Sequence, residues 1–222
     1  MSPAALPDIK GLAPGFPEDF GQMTETEMLY SGAVRAVCTR LENLNQEFRS
    51  RQRRSPIQGI THRLKTPQSI REKMLRRGLP LEYEVMRDQI TDIGGVRVIC
   101  SYIEDIYELS AMLKRQEDIL LINEKDYIRR PKPNGYRSYH LILGVPIFLS
   151  EEKVFIPVEI QMRTIAMEFW ASLEHQLRYK NHSEIPEELR RRLTSIAETI
   201  FQADQEMQQI FTEISRIPDT KQ

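Results

Sequence analysis

The stretch from Lys125 to His140 gathers Lys125, Arg129, Arg130, Lys132 and Arg137 with Tyr127, Tyr136, Tyr139 and His140 around a Pro133-Asn134-Gly135 turn. Guanidinium and ammonium groups make charge-assisted hydrogen bonds to phosphate oxygens, and an aromatic face stacks on a nucleobase for roughly 1–3 kcal/mol per base. The segment therefore suits a phosphorylated aromatic ligand, with the turn fixing the angle of Tyr136. A basic surface loop ahead of a strand has the same composition. Two carboxylates bear on the choice. Asp92 precedes a Gly94-Gly95 pair and an apolar strand, where it either projects from the sheet edge or serves as a turn residue. In Val158-Glu159-Ile160-Gln161-Met162-Arg163 the two-residue period puts Glu159, Gln161 and Arg163 on one face and the apolar residues on the other. A solvated sheet face reads the same way. If Glu159 lies beside Asp92 across the sheet, the pair offers hard oxygen ligands for Mg²⁺, which takes one or two carboxylates together with substrate phosphates.

Arg63, Lys65, Lys73, Arg76 and Arg77 form a second basic cluster. Such a run is commonly the solvated face of a helix. Arg63 and Lys65 precede the predicted helix, however, while Ser69 and Lys73 stand four apart within it and share a face. Together they can grip a triphosphate near a helix N-terminus. No G-x-x-x-x-G-K-[ST] or G-x-G-x-x-G string is present, so phosphate binding falls to side chains. Of the four histidines, His140 lies in the aromatic segment, and His62, His175 and His182 read as structural or solvent-facing. No H-E-x-x-H spacing supports a histidine-built metal hydrolase.

The elements that must position these groups are legible in part. Residues 1–22, with four prolines and three glycines, read as a flexible lead-in. From Thr24, Tyr30, Val34, Val37, Leu41, Leu44 and Phe48 recur in steps of four and three, which predicts a helix with one buried face. Thr66-Pro67 starts a second helix that ends at Gly78. A buried strand over 95–100, a helix over about 104–115 and a strand around 119–122 follow. Runs over 139–149 and 154–161 read as a hairpin. Two more helices complete the chain. One spans about 164–180 with Trp170 and Leu173 inward; the other, opened by Ser183 and Pro186, carries Leu189, Leu193, Ile196, Ile200, Ala203, Met207, Ile210 and Ile214 in alternating steps of four and three. That stripe fits a docked helix or an oligomer seam. The order implies α+β, a mixed sheet with helices at its faces.

Composition sets the outer bounds. A formal net charge of −1 gives no global basic field for bulk nucleic-acid binding, so any anion site is local. Cys38 and Cys100 lie in apolar stretches without metal-type spacing, and no apolar run reaches membrane-spanning length. A cytoplasmic enzyme or binding protein is the expectation.

Taken in order, Arg63-Leu64-Lys65 with Ser69 and Lys73, Asp92-Ile93-Gly94-Gly95-Val96-Arg97, Lys125-Asp126-Tyr127 with Lys132-Pro133-Asn134-Gly135-Tyr136-Arg137-Ser138-Tyr139-His140, and Glu159-Ile160-Gln161-Met162-Arg163-Thr164 resemble the synthetase domain of the RelA/SpoT alarmone synthetases. Trp170-Ala171 and Glu174-His175 extend the last block. The likeness covers about residues 40–180. Its length and lack of a hydrolase domain are most similar to the small alarmone synthetases.

The resemblance implies a nucleotidyltransferase-like mixed sheet flanked by helices, with long helices at both ends. It also implies transfer of pyrophosphate from ATP to the 3′-hydroxyl of GDP or GTP in the bacterial stringent response, without hydrolase activity. By the same resemblance, Arg63, Lys65, Ser69, Lys73 and Arg97 surround ATP, the two arginines sandwiching adenine. Asp92 and Glu159 hold Mg²⁺, and Gln161 orients Glu159 or the acceptor hydroxyl. Tyr136 stacks on guanine, with Lys125, Lys132, Asn134 and His140 near the acceptor nucleotide. The implied division is 1–22 lead-in, 23–182 synthetase and 183–222 a C-terminal helix for docking or self-association, with a homotetramer favoured and no membrane partner. His62 departs from the family, in which many members carry glycine before the first arginine. A catalytically silent nucleotide- or RNA-binding module on the same fold is the alternative; the retained carboxylates speak against it, since a pure anion binder gains from losing them.

Overall fold

A computed structural model describes residues 24–51, 54–180 and 186–217. The expected lead-in over 1–22, His182 and Ser183 lie outside the described residues. The elements run α1 (Thr24–Ser50), β1 (Ile57–Leu64), α2 (Pro67–Arg76), α3 (Tyr83–Gln89), β2 (Gly94–Cys100), α4 (Ile103–Lys114), β3 (Leu120–Asp126), β4 (Tyr139–Phe148), β5 (Lys153–Thr164), α5 (Ile165–Lys180) and α6 (Glu187–Ile214). The five strands form one sheet in the order β1-β2-β5-β4-β3. Only β2 and β5 pair in parallel. The sheet is thus mixed, as expected for α+β.

The apolar period of α1 is the reason it lies on the sheet. Tyr30, Val34, Val37 and Leu41 are all buried, and α1 packs across β1, β2, β4 and β5. Close approach requires Gly94, where an added Cβ would meet the Val34 Cγ2 at 2.9 Å. Gly94 pairs with Val158, Val96 with Ile160 and Val98 with Met162, so period two sends these side chains to the α1 face. Each branched aliphatic buried there contributes roughly 1.5–3 kcal/mol over exposure. The intervening residues Gly95, Arg97, Glu159 and Gln161 are sent to the opposite face. That face bears the site.

Two elements were not foreseen. β1 is an edge strand whose pairing with β2 shifts between Ile57 and Gly59, so its apolar residues do not alternate. α3 has seven residues and no side-chain cap, hence no start signal, although Tyr83 and Met86 are buried. At the C-terminal end, Trp170 is buried and its Nε1 donates to the Leu193 carbonyl at 3.0 Å. Leu173, expected inward, is 43% exposed, because α6 covers the face of α5 that carries Trp170 and Ala171. The stripe of α6 divides: Leu193 and Ile200 pack inward, while Leu189, Ile196, Met207, Ile210 and Ile214 face outward.

Candidate active site

On the face away from α1, the halves of the sheet form two clefts. The first, of about 110 Å³, is lined by Thr61, His62 and Arg63 of β1, Gly95, Val96 and Arg97 of β2, and Glu159 and Gln161 of β5. Antiparallel register sets Arg63 against Gly95, which leaves the arginine room because glycine projects no side chain there. Beside this cleft, Thr66 caps α2: Ser69 N–H donates to the Thr66 Oγ1 at 3.3 Å, and the Thr66 hydroxyl donates to the Ser69 Oγ at 2.9 Å. Lys73, one turn on, donates to the Asp92 Oδ2 at 2.6 Å, and Lys65 lies 3.0 Å from the same oxygen.

This cationic pair governs Asp92. Burial pushes its carboxyl up, but Lys73 and Lys65 outweigh that, and the group sits below the usual carboxylate range. Burial lowers Lys65 in turn, against the pull of Asp92. The other Asp92 oxygen, Oδ1, is buried and has no hydrogen-bond partner among the described residues. An unpartnered carboxylate oxygen is suited to a cation.

The second cleft, about 170 Å³, is lined by Asn123 and Lys125 of β3, Tyr127 and Lys132 of the following loop, His140 and Ile142 of β4, and again Glu159. Register makes Glu159 common to both: it pairs with Gly95 on one side and Ile142 on the other. Its Oε1 lies 3.1 Å from His140 Nδ1, and its Oε2 accepts from Gln161 Nε2 at 2.9 Å. Burial would raise the Glu159 carboxyl; the bonds from His140 and Gln161 hold it below its ordinary value, while the Asp92 charge opposes them. The two carboxylates therefore share an electrostatic neighbourhood.

The loop between β3 and β4 is held from within. Asn134 Oδ1 accepts from the Tyr136 N–H at 3.2 Å, and Gly135 takes a φ of +88° beside Ala197 of α6. The Tyr136 hydroxyl accepts from Arg163 Nη2 at 2.7 Å and lies 2.9 Å from His140 Nε2. Lys132 Nζ sits 4.7 Å from the Tyr136 ring centre and 4.8 Å from that of Tyr127. An ammonium thus occupies the slot between two tyrosines.

The clefts bring together Arg63, Arg97, Glu159 and Gln161 on one side and Lys125, Lys132, His140 and Glu159 on the other. Lys65 and Asp92 feel the charges of Arg63 and Glu159 in the first, and Lys73 joins them through Asp92, whereas Ser69 lines neither cleft and stands in the cap of α2. Asn134 differs from expectation, since it lines neither cleft and its amide also donates to Glu174 at 3.2 Å. It shapes the loop. Tyr136 borders the second cleft through His140 and Lys132. His175 is exposed, as is His62, which nevertheless lines the first cleft. Arg163 was legible only as a member of the polar strand face, and Glu168, which joins Arg163 to Arg97, had no local signal. An acidic residue in the first turn of a helix reads as dipole compensation.

A family model described as a region found in RelA / SpoT proteins matches residues 62–184. The chain is 41% identical over 187 residues to the GTP pyrophosphokinase YwaC of Bacillus subtilis (strain 168), covering 84% of this chain and 89% of that protein. It is 37% identical over 186 residues to the GTP pyrophosphokinase YjbM of the same organism, covering 83% and 86%. The crystal structure of small alarmone synthetase 1 from Bacillus subtilis bound to its product pppGpp superposes with a TM-score of 0.80 at 35% identity, covering 87% of this chain and 98% of that one.

Proposed function

The chain belongs to the RelA/SpoT family, and from that premise we propose that it is a monofunctional guanosine 3′-pyrophosphate synthetase, using ATP as donor and GDP or GTP as acceptor. The observation that carries this reading is Glu159, a single carboxylate that lines both clefts. In the transfer, the acceptor 3′-oxygen forms a bond to the β-phosphorus of ATP and the bond from that phosphorus to the α,β-bridging oxygen breaks. AMP leaves, and the hydroxyl proton is lost. Such a reaction needs its partners aligned across one point, which is the place Glu159 holds.

We assign the first cleft to ATP. Arg63 and Arg97 flank the adenine, and Ser69, Lys65 and Lys73 meet the polyphosphate at the capped start of α2. The second cleft takes the acceptor: Tyr136 stacks on guanine with Lys132 displaced from its ring, while Lys125 and His140 face the sugar and phosphates, and Asn134 sets the loop. Mg²⁺ fits the free oxygen of Asp92 together with Glu159, and it would supply charge neutralisation on the transferring phosphates. Gln161 fixes Glu159. The depressed Glu159 carboxyl makes a weak base, so positioning and electrostatic stabilisation are its larger contribution.

We place the synthetase unit at 23–182 and read 183–222 as the docking and self-association element of a homo-oligomer, tetramer favoured, in the cytoplasm. No described helix is long and apolar enough to cross a membrane. The test is incubation with Mg²⁺, ATP and either GDP or GTP, with products separated by chromatography. AMP should form only when both nucleotides are present. A folded sample that binds both and makes no AMP supports a silent binding module instead.

A further inference from the structure

On the functional reading above, we propose that Glu168 is a positioning residue that couples the two nucleotide clefts. It lines neither cleft. From the first turn of α5, its Oε1 accepts from Arg97 Nη1 at 2.9 Å and from the Ser172 hydroxyl at 2.9 Å, while its Oε2 accepts from Arg163 Nη1 at 2.5 Å. One carboxylate thus holds a guanidinium of the ATP cleft with one oxygen and a second guanidinium with the other. Burial alone would raise the Glu168 carboxyl, and Arg163, Ser172 and Arg97 together keep it below the usual range.

Arg163 carries the connection onward. Its side chain is 6% exposed, and its second arm donates to the Tyr136 hydroxyl at 2.7 Å and to Gln161 Oε1 at 3.3 Å. Tyr136 meets His140, which meets Glu159. The path Arg97, Glu168, Arg163, Tyr136, His140, Glu159 therefore runs from one cleft to the other entirely through hydrogen bonds. Among the described residues the Nε groups of Arg97 and Arg163 are buried without hydrogen-bond partners, and Glu168 is the acid that both guanidinium groups share. A guanidinium is a rigid fork, and moving the arm at Glu168 turns the arm at Tyr136. ATP that reorients Arg97 thereby acts on the tyrosine assigned to the acceptor base.

Glu168→Gln keeps the shape but leaves one acceptor oxygen and no charge. The measurements are the KM for ATP, the KM for GTP, and GTP affinity by titration with and without α,β-methylene ATP, at a temperature where circular dichroism shows the variant folded. Both KM values should rise, each by roughly tenfold for the loss of a charge-assisted bond. The factor by which the ATP analogue changes GTP affinity in the wild type should fall toward one in the variant. A purely structural role would lower the melting temperature while leaving both KM values and the coupling factor unchanged. That result, or a rise in only one KM, overturns the proposal. Should the Gln variant not fold, Glu168→Asp retains charge but is too short to span both arginines, and the same readouts apply. A wild-type chain that makes no product in this assay refutes the synthetase reading, whereas an active wild type with an unaltered variant refutes the coupling alone.

Discussion

At the scale of single residues, Glu159 and Asp92 are asked for different things. Glu159 has both oxygens engaged by its neighbours, whereas Asp92 keeps one oxygen free and uses the other to hold two lysines. Glu159→Gln should lower synthesis at least ~10²-fold, the scale seen when a major electrostatic contributor is lost, with little change in melting temperature. Asp92→Asn should lose as much activity and also melt earlier, because Lys65 and Lys73 lose their shared anion. Rate assays and thermal melts separate the two cases, and near-normal turnover in either variant rules out the role given to it. Tyr136→Ala should raise the KM for GDP or GTP by about 5- to 150-fold, the equivalent of 1–3 kcal/mol of stacking, with ATP binding nearly unchanged. On ring stacking alone, Tyr136→Phe would be mild. The hydroxyl's bonds to Arg163 and His140 change that expectation: phenylalanine should also weaken guanine-nucleotide binding, which paired titrations will register. The identities of Asp92, Glu159 and Tyr136 could be read from the chain because their neighbours are local. Their partners were legible only in part: Gln161 was expected to orient Glu159, whereas Lys73 meets Asp92 and Arg163 meets Tyr136 only once the chain is folded.

At the scale of elements, α6 bears on the site through two contacts that invite measurement. Asp204 is buried and, among the described residues, accepts from one donor, the Thr164 hydroxyl at the end of β5, while burial raises its carboxyl above the ordinary value. A carboxyl raised on folding contributes stability at pH below its unfolded value, and that contribution is lost as pH rises through the folded value. Asp204→Asn should therefore raise the melting temperature at pH 7 and leave it nearly unchanged, or lower it, in acid; equal shifts at both pH values would contradict the assignment. Gly135 is the second contact. With φ at +88° and Ala197 2.6 Å from an added Cβ, Gly135→Ala should push the loop off α6 and raise the guanine-nucleotide KM more than the ATP KM. Steady-state kinetics with each substrate varied will show it. Helix periods made α1, α4, α5 and α6 readable, and alternation revealed β5. β1 and α3 escaped because an edge strand with a bulge and a seven-residue helix bury too few side chains to impose a period.

At the scale of the whole molecule, the outward stripe of α6 stands near a second one on α5, where Ile165, Phe169, Leu173 and Leu177 are all exposed at four-residue intervals. The self-association proposed above would cover this stripe with the matching one of a second copy. Met207→Glu combined with Ile210→Glu should reduce the mass in sedimentation equilibrium without unfolding the monomer, since both side chains lie outside the core; an unaltered mass would move the interface elsewhere. The long helices could be recognised from sequence, but which half of the α6 stripe docks inward depends on Trp170 and Asp204 and could not. On the proposed function, these elements set two nucleotides on either side of Glu159 so that a pyrophosphoryl group crosses between them, and the path of the phosphorus can be traced. With ATP carrying labelled β-phosphorus and unlabelled GTP, the label should appear in the 3′-pyrophosphate of the guanosine product and be absent from AMP. Label recovered in ADP or inorganic pyrophosphate, with none on guanosine, would rule out pyrophosphoryl transfer between the two clefts.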